Sequence, residues 1–400
     1  MHRVTTAPFD AASPPARWFR DFGRPPRILG LDIARGIAIL GMAGAHIGDT
    51  PTFDWLDVTT WTDLVHGRSS ILFALLAGVS IALMTGRSAL PDPARLPSIR
   101  LSLVGRGATI FVIGLALEFL NTPIAVILTL YGLLYVAVIP FLRWKPWQLL
   151  VGAAVLALFG PAFIALLTAV TLQPYGAGIG FVLSGSYSIV VWMAFVLGGL
   201  ALGRLNVAGL HTAALALGVG VALAAIGYGT GAAGESLAQG FGERGSTYSD
   251  APAGWDGYPQ ALAAADPIGA VLHAFFAVEP HSGGTAEVLG SGGFALAVIG
   301  LCLLLARPLR WVLLPFGALG SMPLSAYSGH IVAIALISGP GAFYTSNAFW
   351  AVLGIGMLAV TTVWSMFFGR GPLERLVGYT ARRMAGGAAR SPAVRPRLDA

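Results

Sequence analysis

The stretch Arg27-Ile28-Leu29-Gly30-Leu31-Asp32-Ile33-Ala34-Arg35-Gly36-Ile37-Ala38-Ile39-Leu40-Gly41-Met42-Ala43-Gly44-Ala45-His46 is long and apolar enough to cross a bilayer, yet it carries a carboxylate, a guanidinium and an imidazole. Charged groups in hydrocarbon cost several kcal/mol each and persist where they pair or face a wet cavity, so this helix is expected to line a functional site. At about 100° per residue, Asp32, Arg35 and His46 fall within a sector of roughly 60°, and the rise of about 1.5 Å per residue puts about 16 Å between Arg35 and His46. One face therefore carries an ion pair near one leaflet and an imidazole near the other. Two plainer readings stand beside this one: an i,i+3 pair that fixes the helix end, and a core histidine.

The rest of the chain fits a membrane protein. Of 400 residues 56% are hydrophobic and only 10% charged, which excludes an ordinary soluble domain and predicts an all-α polytopic membrane protein embedded in the lipid bilayer. The net charge of +6 does not call for a nucleic-acid partner, because the basic residues sit in short connectors and in the two tails. The lone Cys302 lies in an apolar run and offers neither a disulfide nor a metal cluster. No cleaved signal peptide is expected in the first 26 residues, so the first membrane helix is the targeting signal.

About ten spans are predicted, near 28–48, 65–86, 100–119, 122–142, 147–170, 185–203, 208–228, 286–306, 322–339 and 346–368. The stretch 309–319 is too short to cross and reads as an interfacial or re-entrant piece. With the N-terminus in the cytoplasm, 21 of the 24 basic residues fall on the inner side, and only Arg35, Arg68 and Arg244 fall elsewhere. The expectation is a multi-pass protein of the cell membrane with both termini cytoplasmic. Residues 1–27 form the N-terminal tail, 28–369 a single transmembrane domain with an outer loop at 229–285, and 370–400 a basic cytoplasmic tail. Acids crowd the outer loops, with Asp49, Asp54, Asp57 and Asp63 in the first and Glu235, Glu243, Asp250, Asp256, Asp266, Glu279 and Glu287 in the largest. They read either as solvated loops or as an outer vestibule for a polar acceptor. In the largest loop the apolar run from Ile268 to Val278 is expected to lie flat on the membrane surface.

Polar residues converge in three places. The second span opens Asp63-Leu64-Val65-His66-Gly67-Arg68-Ser69-Ser70, where helical spacing would put Asp63, His66 and Ser70 on one face and let the carboxylate orient the imidazole as half of a general-base dyad. Asp63 also reads as a helix cap. His46 and His66 lie at the outer ends of adjacent spans joined by a short loop, so their rings are expected to face one cavity. The ninth span reads Met322-Pro323-Leu324-Ser325-Ala326-Tyr327-Ser328-Gly329-His330, with Tyr327 and His330 one turn apart near mid-membrane, either touching substrate or closing a buried network. His281-Ser282-Gly283-Gly284 is a Gly-rich outer turn in which His281 is a candidate acceptor-site residue. No Cys pair, His-x-x-x-His or His-Glu-x-x-His arrangement occurs, so no metal is expected.

The pattern at 27–42 resembles the first helix of membrane acyltransferases of the heparan-alpha-glucosaminide N-acetyltransferase and YeiB-like group. Ser69-Ser70-Ile71-Leu72-Phe73-Ala74-Leu75-Leu76-Ala77-Gly78, Gly320-Ser321-Met322-Pro323-Leu324-Ser325-Ala326-Tyr327 and Gly371-Pro372-Leu373-Glu374-Arg375-Leu376 are similar to its bacterial branch. Asp32, Arg35, Gly36 and His46 also resemble the first helix of the acyltransferase-3 family, where a histidine at the outer end is thought catalytic. The N-acetyltransferase branch usually has Asn at the position of His46 and its histidine further along the first outer loop. That loop holds none here, so the implied role falls on His46 or moves to His66. The resemblance implies acyl transfer, acetyl above all, from cytosolic acyl-CoA as co-substrate to a hydroxyl or amine of an outward-facing glycan or lipid, with no permanently bound cofactor. Asp32, Arg35 and the Arg95 to Arg106 segment would then hold the donor, Arg68 would stabilise the oxyanion, and His46 or His66 would deprotonate the acceptor. A homodimer is a further expectation. The alternative reading, prompted by intramembrane Asp32, Arg35 and His330, is a proton-coupled transporter.

Overall fold

The computed structural model describes residues 13–49, 51–54, 56–172, 177–183, 188–238, 254–342 and 344–389, and among them it holds helices and no strand. The chain begins with a short α1 (Pro14–Asp21), the span α2 (Leu29–Ile47) and α3 (Arg68–Met84), the last preceded by a 3-10 turn at Val58–Val65. Next come α4 (Leu96–Glu118), α5 (Leu128–Ala137), α6 (Pro146–Thr171), α7 (Ala177–Leu183), α8 (Ile189–Arg204) and α9 (Leu210–Ala238). Two short helices, α10 (Tyr258–Ala265) and α11 (Pro267–Phe276), lead to α12 (Thr285–Leu305), α13 (Arg310–Gly320), α14 (Pro323–Ser338), α15 (Asn347–Phe367) and α16 (Pro372–Ala389). Seven helical segments are long and apolar enough to cross a membrane, and α13 and α14 form a further pair bent by 76°.

Every predicted span contains a helix, but three of these helices are shorter than a bilayer needs: α5 has 10 residues and α8 and α14 have 16 each, where about 20 are required. The run 122–142 is correspondingly not one helix. Pro123 and Pro140 punctuate it, and residues 121–127 stay irregular before α5 starts. Irregular backbone at membrane depth survives where it lines a cavity, which is what 123–127 does. The predicted re-entrant piece at 309–319 is α13, buried through Leu314, Ala318 and Leu319 against neighbouring helices and broken from α14 at Ser321–Met322.

α2 sits at the centre, packed against α3, α12, α13, α14 and α15. Its close fit to α13 depends on two glycines: a Cβ on Gly36 would stand 2.2 Å from the Phe316 carbonyl oxygen, and one on Gly320 1.7 Å from that of Asp32. Its far end is tied to α15 by Ser346 N–H to the Ile47 carbonyl (2.7 Å), Asp49 N–H to Asn347 (3.0 Å) and the Trp350 indole to the Leu40 carbonyl (3.0 Å). Arg204, a topology marker in the sequence, is 3% exposed and donates to the carbonyls of Thr85, Arg87, Ala89 and Leu142, fastening the turn after α3. In the largest loop, 239–253 lies outside the described residues, taking with it Glu243, Arg244 and Asp250. α11 covers most of the apolar run 268–278 and packs on α6, with Ile268 and Leu272 exposed.

Candidate active site

His46 occupies the last turn of α2. Its Nδ1 lies 3.1 Å from Nε2 of His330, and the two rings stack with planes 15° apart. The break between α13 and α14 brings His330 there, because it lets α14 cross beside α2 instead of continuing α13. His330 is 1% exposed and does not belong to the cavity wall; it backs His46 from within the bundle. Its buried Nδ1 has no hydrogen-bond partner among the described residues. Tyr327 stands edge-on to His330 at 5.0 Å, and its hydroxyl accepts the Ile127 N–H at 3.2 Å.

In front of His46 is a cavity of ≈ 160 Å³ lined by Met42, Ala45, His46, Val65, His66, Gly67, Ser69, Ser70, Pro123, Ile124, Ala125, Ile127, His281 and Tyr327. The structure therefore brings together His46, His66, His281 and Tyr327. His66 and His281 meet edge to face at 6.0 Å. Burial, together with the nearby His66, pushes the His281 imidazole down to about 4, so it is neutral near pH 7.

The expected single face of Asp63, His66 and Ser70 does not form. Helical spacing breaks between them and Ser70 because Gly67 adopts φ +69°, a left-handed conformation, and α3 starts only at Arg68. A side chain at Gly67 would also meet Pro280 at 2.9 Å. The Asp63 carboxylate lies 4.0 Å from His66 Nδ1, beyond hydrogen-bond length, and 3.6 Å from the Arg68 guanidinium. Arg68 is held beside the cavity and not in its wall: Nε donates to the Tyr228 hydroxyl at 2.7 Å, Nη1 to the Asp63 carbonyl at 2.9 Å, and Tyr228 bonds Ser291 at 3.1 Å.

Glu287, read in the sequence as a loop acid, is 3% exposed in the first turn of α12. Its carboxylate accepts the N–H of His281 (2.7 Å), the N–H of Gly283 (2.7 Å) and the Ser282 hydroxyl (3.0 Å), and so shapes the turn that presents His281. An acid just inside a predicted span, after a Gly-rich turn, was the available signal.

At the other end of α2, Asp32 is 5% exposed and takes Arg35 at 2.6 Å and Arg27 at 3.0 Å, while Arg35 also donates to Ser80 at 2.9 Å. Arg35 opens onto a second cavity of ≈ 170 Å³ that includes Ser80, Arg106, Tyr131, Tyr135, Leu324 and Glu374. The same four elements wall both cavities: His46 and Arg35 on α2, Ser70 and Phe73 on α3, Ile127 and Leu128 at the start of α5, Tyr327 and Leu324 on α14. The Tyr131 hydroxyl, on the second cavity, donates to the Ser70 carbonyl, on the first, at 3.4 Å.

Fold and site together define a polytopic α-helical membrane protein with a histidine-lined cavity and an arginine-lined cavity stacked along one central helix. The sequence pattern of heparan-alpha-glucosaminide N-acetyltransferase, catalytic, matches residues 27–227, half of the chain. The chain belongs to that family and is, as a class, a membrane acetyltransferase. The match includes His46, His66 and Arg35, whereas His281, Glu287 and His330 lie beyond it. No curated protein and no solved structure gives a significant match.

Proposed function

We propose that the protein moves an acetyl group from cytosolic acetyl-CoA to a hydroxyl or amine of a glycan or lipid on the other side of the membrane, with His46 as the general base. The observation that carries this reading is the pairing of two cavities along α2, one with Arg35 and Arg106 and the other with three histidines. Phosphates of the donor suit the arginines as charge-assisted contacts, and the basic connectors expected on the cytoplasmic side cluster at that end of the sequence topology. The acceptor waits in the histidine cavity.

In this reading His46 Nδ1 donates to His330 Nε2, the tautomer that leaves His46 Nε2 with a free lone pair. The acceptor's oxygen or nitrogen gives its proton to that Nε2 as it attacks the thioester carbonyl. The tetrahedral intermediate then expels the CoA thiolate, which takes the proton back from the His46 imidazolium. Transfer requires the thioester to pass Ser70 and Tyr131, which line the two cavities and are bonded to each other. Arg68, fixed by Asp63 and Tyr228, adds positive potential beside the cavity where the oxyanion develops. His66 and His281 line the acceptor's side.

Sealed proteoliposomes test the reading. Acetyl-CoA supplied to one face only is expected to yield acetylated acceptor enclosed on the other, from the orientation with the arginine cavity toward the donor. Proton or solute flux in the absence of CoA, with no acetylated product, would overturn it in favour of transport.

A further inference from the structure

The motif Gly371-Pro372-Leu373-Glu374-Arg375-Leu376 opens α16, a helix that the proposed chemistry does not use. α16 packs along α4, burying Val377 and Ala381, and the Thr380 and Thr109 hydroxyls meet at 2.8 Å. From this anchored helix the Glu374 side chain crosses to the start of α14. One oxygen accepts the N–H groups of Leu324 (2.7 Å) and Ser325 (3.1 Å), and the other accepts the Ser325 hydroxyl (2.5 Å). The Ser325 hydroxyl oxygen in turn accepts the Leu373 N–H at 3.1 Å.

α14 has no cap of its own, since Met322 stands at the N-cap without a side-chain bond and Pro323 follows at the first helical position. Leu324 and Ser325 supply two of the four N–H groups that a helix start leaves open, and a carboxylate there also opposes the positive end of the helix dipole. Glu374 thus replaces the missing cap from a different helix. The seat is tight, because a Cβ on Gly371 would stand 2.1 Å from the Glu374 carboxylate. Five residues beyond Ser325, a helical rise of about 7.5 Å, comes His330, the residue that backs His46.

We infer that Glu374 is a positioning residue: by capping α14 after its break from α13 it sets the place of the His330 ring and, through it, the orientation of His46. This rests on the reading of His46 as the base, although its test does not need catalysis. Glu374 also lines the arginine cavity, so the cap lies where an occupant of that cavity meets the helix leading to the histidines.

The test is the rate at which diethylpyrocarbonate modifies His46 in the full-length protein, measured on the His46 peptide by mass spectrometry. Expected is a shift of at least threefold in Glu374→Ala with the same sign as in His330→Ala, and no further shift in the double variant, because both act on one contact. Glu374→Gln, which keeps an oxygen for the two N–H groups, is expected within twofold of the unaltered protein. Glu374→Asp falls one methylene short and serves where alanine unfolds the protein; the same sign of shift is expected. In acetyl transfer, kcat is expected to fall in Glu374→Ala, whatever change the loss of a wall residue of the arginine cavity makes in the KM for acetyl-CoA. A His46 rate unchanged in folded Glu374→Ala or Glu374→Asp, effects that multiply in the double variant, or a change confined to KM would overturn the inference. Absence of acetyl transfer in the unaltered protein would refute the enzyme reading while leaving the modification rates to decide this one.

Discussion

Removing the Asp32 carboxylate should destabilise the protein far more than removing the whole ion pair. Asp32 holds two guanidinium groups, but they are not equivalent: the Arg27 side chain is 37% exposed and the Arg35 side chain 15%. The Arg27 contact is screened by water and contributes about 1 kcal/mol or less. In Asp32→Ala, Arg35 stays inside the bundle with Ser80 as its remaining hydrogen-bond partner, and an uncompensated buried charge of that kind costs about 3–5 kcal/mol. The double variant Asp32→Leu, Arg35→Met leaves no charge behind and is expected to recover most of that loss, ending within about 1–2 kcal/mol of the unaltered protein. Unfolding free energies in mixed micelles, titrated with a denaturing detergent, for the unaltered protein, Asp32→Leu, Arg35→Met and the double variant complete the four-corner cycle. An Asp32→Ala protein within about 1 kcal/mol of the original, or strict additivity of the two changes, would refute the assignment of Arg35 to a largely buried site held by Asp32.

Gly320→Ala is expected to lose about 3 kcal/mol or more in the same assay, since its methyl would meet backbone of α2 on a face that cannot yield, whereas Gly329→Ala, with open space around it, is expected within about 0.5 kcal/mol. His281 gives a pH dependence with a definite sign. Its native value near 4 lies below the ordinary 6.5, so the unfolded chain takes up the proton first as the pH falls. Native stability from this group is complete above about pH 6.5 and declines toward pH 4; a melting-temperature series should show the decline flattened in His281→Asn. Glu287→Ala leaves the N–H groups of His281 and Gly283 and the Ser282 hydroxyl without their acceptor, and is expected to cost about 2 kcal/mol or more and to open the 277–284 turn to limited proteolysis, with Glu287→Gln milder.

The helices and the importance of α2 were legible because hydropathy reports directly on what must leave water, and because charges inside an apolar run have few innocent explanations. His46 and His66 in one cavity followed from spacing and from the sidedness of short loops, and His281, read from sequence only as an acceptor-site candidate in an outer turn, joins them. What sequence could not supply were contacts between distant segments. His330 lies 284 positions from His46, and only the break after α13 brings them together. The shared face of Asp63, His66 and Ser70 failed on a left-handed glycine at 67, which a helical wheel cannot see, while the Asp63 carboxylate stops 4.0 Å from His66. Glu287 was counted with the loop acids because its loop neighbours are polar, although its carboxylate is turned inward onto backbone N–H groups. The run 122–142 satisfied a hydropathy window yet contains an irregular cavity wall, since a window registers apolar content and not whether the backbone bonds to itself. Residues 370–389 looked like a basic tail, but the buried face of α16 alternates with its arginines at helical spacing and packs on α4.

The most direct test is the rate of acetyl transfer from labelled acetyl-CoA by the purified protein in nanodiscs, compared between the unaltered protein and His46→Ala. Loss of a general base is expected to lower kcat by about two to four orders of magnitude while the folded protein still binds the donor. Undiminished transfer by His46→Ala would contradict the assignment of His46 as the base.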